Sequence, residues 1–274
     1  MRILVLSPFG ANEPFGEENL RKVARSDTEF DFESLSEVFP LAYNTFRYNA
    51  LKCADGAVER IIRAQEEGYD AAVISCMLDP GLYEARGTVD IPVTGTFEAS
   101  GLLSMMMGHL YSVVTVGPEA ANTSGMRRLA DSYGFGSRLA SIRHIEIKAD
   151  KLYPEETPTQ QILDMLEQVG KRCVEEDGAE VLIPGCTILG SLFSHGYGKD
   201  PTEVFGVPVV DPMVAAFKMA EMMVDMRKLA GYPAASRRGL WQKQPAEEFA
   251  FLRTWLAERP STAAYYRGVP ANRS

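Results

Sequence analysis

The chain has 274 residues, of which 46% are hydrophobic and 24% charged, and a formal net charge of −9. Such values belong to an ordinary globular protein of one large or two small domains and exclude disorder and fibrous repeats. The acidic balance argues against a nucleic-acid or anionic-membrane surface, and no apolar run approaches the roughly 18 residues of a membrane span.

Taken in chain order, the opening Met1-Arg2-Ile3-Leu4-Val5-Leu6-Ser7-Pro8 is too short an apolar run for a signal peptide. It reads as a first strand over 3–6. Further strands are predicted at 71–75, 93–94, 112–116, 141–147, 181–184 and 207–210, with helices at 44–67, 97–107, 126–133, 159–176 and 212–229. Most of the strand runs are continuously apolar, as parallel strands covered on both faces must be. Strand–helix alternation of this kind predicts an α/β protein with parallel sheets. Residues 233–239 read as a linker, and 245–258 as an amphipathic helix with Phe249, Leu252, Trp255 and Leu256 on one face. That stripe is expected to pack either on its own lobe or on a neighbouring subunit.

The sequence also repeats itself. Ile3-Leu-Val-Leu-Ser-Pro8 matches Val113-Val-Thr-Val-Gly-Pro118, and Gly68-Tyr-Asp-Ala-Ala-Val-Ile-Ser-Cys76 matches Gly178-Ala-Glu-Val-Leu-Ile-Pro-Gly-Cys186, each pair 110 residues apart. A third pair, Ile91-Pro-Val-Thr-Gly and Val207-Pro-Val-Val-Asp, follows at a spacing of 116. Three matches in one order predict an internal duplication.

The duplication directs attention to Cys76 and Cys186, two of the four cysteines. No CxxC is present, and reduced thiols in a cytoplasmic protein are expected. Both residues follow an apolar strand, where ligands bind in open parallel sheets. Asp79-Pro80-Gly81-Leu82 after one and Thr187-Ile188-Leu189 after the other can open helices, whose N-termini favour thiolate. Opposed thiols suit one task in particular. One takes a proton from a carbon beside a carbonyl, and the other returns a proton to the opposite face. A free thiol near pKa 8.5 can serve as either partner, while backbone amides and the hydroxyls of Thr115 and Thr187 are candidates to hold the enolate oxygen. His195, in Ser194-His-Gly-Tyr-Gly-Lys-Asp-Pro201, falls in a predicted Gly-rich loop that would close over the cleft and touch substrate. Cys53 and Cys173 lie inside predicted helices and read as core residues. No HExxH, paired CxxC or P-loop occurs, so neither metal nor cofactor is expected.

At its two cysteine motifs the sequence resembles the aspartate/glutamate/hydantoin racemase superfamily. The stretch Ile74-Ser-Cys-Met-Leu-Asp-Pro-Gly-Leu-Tyr-Glu-Ala-Arg86 is similar to the first-cysteine motif of hydantoin and allantoin racemases. Val93-Thr-Gly-Thr-Phe-Glu-Ala99, Tyr111-Ser-Val-Val-Thr115, Ile183-Pro-Gly-Cys186 and Val207-Pro-Val-Val-Asp-Pro-Met-Val-Ala-Ala216 follow in the family order. The resemblance implies two pseudo-symmetric flavodoxin-like lobes, each a parallel sheet flanked by helices, with the active site in the cleft between them. Residues 1–97 plus 208–232 would form the first lobe, 98–207 the second, and 233–274 a C-terminal extension beyond the usual family length. It also implies cofactor-independent racemisation by Cys76 and Cys186, and subunits that associate as a homo-oligomer. Substrate contacts are expected from Ser7, Pro8, Phe9 and Asn12 on the first loop, from Tyr43 and Asn44, and from Met77. Where hydantoin racemases commonly carry Asn-Pro-Asn this chain has Ser7-Pro8-Phe9, so recognition differs while the catalytic pair is kept. The favoured expectation is a racemase of a hydantoin- or allantoin-like cyclic amide or a related small acid. A cysteine-dependent cis-trans isomerase or decarboxylase on the same scaffold, and a non-catalytic ligand-binding protein, are the competing expectations.

Overall fold

The structure, a computed structural model, describes residues 1–10, 15–36, 46–117, 120–198 and 200–258. Its framework is two parallel sheets. In the first, β1 (Arg2–Ser7) lies between β2 (Glu29–Ser34) and β3 (Ala71–Ile74), and β3 pairs in turn with β4 (Val93–Gly95). In the second, β5 (Tyr111–Val116) lies between β6 (Leu139–Ile145) and β7 (Val181–Pro184). The predicted strand over 207–210 is reduced to a single parallel bridge, Val209 against Leu182. Leu182 donates its N–H to Pro208 O at 3.0 Å, and Val210 donates to Leu182 O at 2.9 Å. The second half therefore reproduces the order of the first, with Val209 at the place of β4.

Helices connect the strands: α1 (Gly16–Val23), α2 (Arg47–Glu66), α3 (Leu82–Thr88), α4 (Thr96–Met107), α5 (Ala120–Ser132), α6 (Thr159–Glu175), α7 (Thr187–Gly196), α8 (Pro201–Phe205), α9 (Pro212–Ala230) and α10 (Ala246–Ala257). Among the described residues none of them is long and apolar enough to cross a membrane.

Strand alternation sorts the core into two parts. Ile3, Val5, Ala71 and Val73 of the first sheet share one cluster with Tyr111, Val113, Val181 and Ile183 of the second. Phe97 and Ala99 of α4 and Met213, Phe217 and Ala220 of α9 complete this inner core. The alternate residues Leu4, Leu6, Ala72 and Ile74 turn outward to Cys53, Ala57 and Ile61 of α2, while Val114 and Leu182 meet Ile162, Leu166 and Cys173 of α6. Both sheets are thus covered on both faces, which is why their strands are almost unbroken apolar runs.

The two inner helices are exchanged. α4 leaves the first sheet and packs on β5 and β7, whereas α9 leaves the second half and packs on β3 and β4. The Thr94 hydroxyl donates to Ala216 O at 3.0 Å, fixing α9 on the first sheet.

Some elements differ from the sequence expectations. β2 has no local signature because Glu-Phe-Asp-Phe-Glu-Ser alternates acidic and apolar residues at a sheet edge, and Asp31 and Glu33 find their partners far away in sequence. Arg60 forks onto Glu33 at 2.6 and 2.7 Å, and Tyr69 and Arg2 hold Asp31 at 2.6 and 2.8 Å. α1 was hidden by its strongly polar composition. The amphipathic stripe of α10 is only partly covered: Phe249 packs on the outer core, while Leu252, Trp255 and Leu256 remain exposed.

Candidate active site

Cys76 and Cys186 occupy equivalent places, two residues beyond the carboxyl ends of β3 and β7. Their sulfurs belong to one apolar cluster that also takes in Leu6, Phe9, Phe15, Ile188 and Leu189. The Cys186 thiol is among the groups whose charge acts on Cys76. The equivalence stops at the local surroundings.

Cys186 is the N-cap of α7, with extended backbone (φ −145°, ψ 135°), and its carbonyl accepts the first helical bond from Gly190 N–H at 3.0 Å. It therefore lies at the positive end of a ten-residue helix, beside first-turn amides that have no acceptor within the helix. The preceding Gly185 is required by packing, since a Cβ there would stand 2.6 Å from Val113 Cγ1 and 2.7 Å from Thr115 Cβ. Thr115 Oγ1 donates to Gly185 O at 3.0 Å and accepts from Asn122 Nδ2 at 3.1 Å. Its hydroxyl proton is thus engaged in fixing the residue before Cys186. Thr187 is buried as the first residue of α7.

Cys76 has no comparable helix behind it. The expected helix N-terminus is displaced, because α3 begins only at Leu82 after a left-handed Gly81 and runs for seven residues. In its place the Leu78 N–H donates to Cys76 Sγ at 3.4 Å, while the Asp79 carboxylate lies close by. Burial, first, and then the Asp79 charge push the Cys76 thiol well above its ordinary range, and the Leu78 bond opposes them only in part. Cys53 and Cys173 lie fully buried inside α2 and α6, and burial holds Cys53 at about 11.

The remaining expected site residues divide. Ser7 ends β1, and its hydroxyl joins that of Ser34 in donating to Phe9 O, at 3.1 and 2.8 Å. Pro8 is buried, and Phe9 enters the same cluster as Cys76. Met77 faces the other way, into the inner core. His195 needs correction. The expected loop is the last turn of α7, about 13 Å along the helix from Cys186 at 1.5 Å per residue. Its ring stacks on Phe15 with centroids 3.6 Å apart, and Nδ1 lies 3.4 Å from Glu18 Oε2. His195 accordingly joins α7 to the start of α1. Asn12, Tyr43 and Asn44 lie outside the described residues.

Asn122 and Asp79 were not singled out as site residues from the sequence. Asn122 offered no signal, whereas Asp79 lay in view in the Asp-Pro-Gly step. No cluster of three or more metal-ligating side chains occurs among the described residues.

Duplicated parallel sheets with exchanged inner helices and a cysteine at each matching strand end define an isomerase scaffold of the two-lobed racemase type. The family model for Asp/Glu/Hydantoin racemase matches residues 16–220. A hydantoin racemase of Pseudomonas sp. (strain NS671) is 38% identical over 212 residues, 77% of this chain and 80% of its own. One from Paenarthrobacter aurescens is 32% identical over 193 residues, 70% of this chain and 75% of its own. Among solved structures, allantoin racemase from Klebsiella pneumoniae superposes with a TM-score of 0.76 at 27% identity, covering 89% of this chain and 94% of that one. The chain belongs to the Asp/Glu/Hydantoin racemase family.

Proposed function

We propose that the enzyme racemises a 5-substituted hydantoin or an allantoin-like ring without a cofactor, using Cys76 and Cys186 on opposite faces of one carbon. The observation that carries this reading is the placement of both cysteines at equivalent strand ends, near enough that the Cys186 thiol acts on Cys76 through its charge. The names of the relatives agree with this choice of ring.

In the reaction one thiolate removes the hydrogen from the carbon between the carbonyl and the ring nitrogen. The bonding pair moves into the carbonyl, and the resulting enolate is planar. The opposite thiol then delivers its proton to the other face, so one sulfur ends protonated and the other ionised, with their roles exchanged. The amides of the first turn of α7 are suited to hold the enolate oxygen, because they are fixed before the charge develops. Thr187 stands beside them, and Thr115 acts one step back by holding Gly185. The two faces are unequal: Cys186 caps a helix and suits the resting base, while buried Cys76 suits the resting acid.

Deuterium wash-in at the α-carbon, with chiral analysis and mass measurement of the recovered substrate, tests the reading. Cys76→Ser and Cys186→Ser are each expected to lower racemisation by about 10²–10⁴-fold, the usual worth of a positioned acid or base. A serine variant that racemises at the wild-type rate overturns the mechanism, and loss of carbon dioxide from the substrate overturns the reaction class.

A further inference from the structure

Asp79 stands three residues beyond Cys76, in surroundings that exceed what a turn requires. Its backbone is left-handed, φ 42°, a conformation uncommon outside glycine and one that aspartate tolerates better than most residues. The N–H closes the turn onto Cys76 O at 2.9 Å. From there the buried carboxylate leaves its own loop. Oδ1 accepts the Phe97 amide at 3.1 Å, and Oδ2 accepts the Glu98 amide at 2.9 Å and the Tyr133 hydroxyl at 3.0 Å. The N-cap of α4 is Gly95, which has no side chain to offer, so the cap comes from this distant loop. A Cβ on Gly95 would lie 2.5–2.7 Å from the carboxylate atoms, so the socket admits Asp79 only because that position is glycine.

Three anchor points follow. The loop carrying Cys76 is tied to the exchanged helix α4, and through Tyr133, just past the end of α5, to the second half of the chain. The charge of the same carboxylate also acts on the Cys76 thiol, as do those of Cys53 on α2 and Cys186 at the head of α7. Around Asp79 itself stand Tyr83 and Arg86 on α3, Glu98 on α4 and Tyr133. Arg86 is ion-paired with Glu98, and among the described residues no cation is ion-paired with Asp79.

We propose that Asp79 is a positioning residue for Cys76, anchoring its loop to the far lobe through α4 and Tyr133 and setting its carboxylate beside the thiol. The inference rests on the two-cysteine reading, because it gives Cys76 the resting role of acid. It is tested without turnover. The full-length wild type, Asp79→Asn and Tyr133→Phe are alkylated with iodoacetamide across pH, and Cys76 and Cys186 are followed separately by peptide mass spectrometry.

Asp79→Asn removes the charge but keeps an acceptor. The Cys76 alkylation midpoint is expected to fall by about one pH unit, a roughly tenfold gain in thiolate between about pH 8, where Asp79 is ionised, and the midpoint, while the Cys186 profile stays in place. Tyr133→Phe keeps the charge and cuts one anchor. The plateau rate at Cys76 is expected to rise about threefold, from easier local opening, with no fall in midpoint. An unshifted Cys76 midpoint in a folded Asp79→Asn chain overturns the proposal, and so does an equal shift at both cysteines. If Asp79→Asn does not fold, a Tyr133→Phe profile identical to wild type overturns it alone. Failure of the two-cysteine reading looks different: serine variants that still turn over, whatever the alkylation profiles.

Discussion

At the residue scale, the two cysteines are alike in topology and unlike in environment. One caps a helix, and the other sits in a dry turn beside a carboxylate. Burial lifts Asp79 itself to about 7 from an ordinary 3.8, against the pull of its two amide donors. The folded chain therefore holds that proton more tightly than the unfolded chain does. The associated stability is full below about pH 4 and lost as pH rises through about 7. Urea unfolding is expected to show wild type losing ground to Asp79→Asn between about pH 4 and 7; a pH-independent gap would contradict this. Gly95→Ala is the companion test. Its Cβ collides with the Asp79 carboxylate, so a loss of about 1–3 kcal/mol is expected from the same unfolding measurement.

At the element scale, each of the two exchanged helices begins with an aspartate cap. α4 borrows Asp79, while α9 carries Asp211, whose Oδ1 accepts Met213 N–H at 2.9 Å and Val214 N–H at 3.1 Å. The Ser194 hydroxyl at the end of α7 donates to Asp211 Oδ2, joining α7 to α9. Asp211→Ala is expected to cost about 1–2 kcal/mol in thermal or urea unfolding. Elements of this kind divide by how much of their reason is local. The central strands were legible because burial on both faces leaves a continuous apolar run, and α6 and α9 because of length and period. β2 was not, since an edge strand keeps half its side chains in water and Asp31 and Glu33 are neutralised by Arg2 and Arg60, far away in sequence. α7 was legible at its start and mistaken at its end, because Ser194-His-Gly reads as a turn until Phe15 stacks on His195. The cysteine positions were visible through repetition, whereas the anchoring of Asp79 depends on α4 and Tyr133 and has no local signature.

For the whole molecule, the segment after α9 is a strap on the first half. The Arg237 guanidinium donates to Arg86 O at 2.8 Å and Val89 O at 2.5 Å, and pairs with Asp90 at 2.8 Å, where Lys243 joins it at 2.5 Å. Trp241 meets the edge of Tyr83 with centroids 5.8 Å apart and lies against Arg86. Arg253 of α10 reaches Glu59 of α2 at 3.2 Å. Truncation after Tyr232 is expected to lower the thermal midpoint by about 4–8 °C, from roughly 2 kcal/mol of lost contacts in a chain of this size. An unchanged midpoint would show the strap to be idle.

The exchange of α4 and α9 has a consequence for how such a chain can be divided. Severed between its two repeats, neither fragment would own the helix that seals its sheet, because each would hold the other's. Two half-length chains could close only as an intertwined pair, each lending a helix and a cysteine to a common centre. A single gene encoding both copies removes the symmetry such a pair would impose, leaving one sulfur free to settle at a helix tip and the other beside a carboxylate.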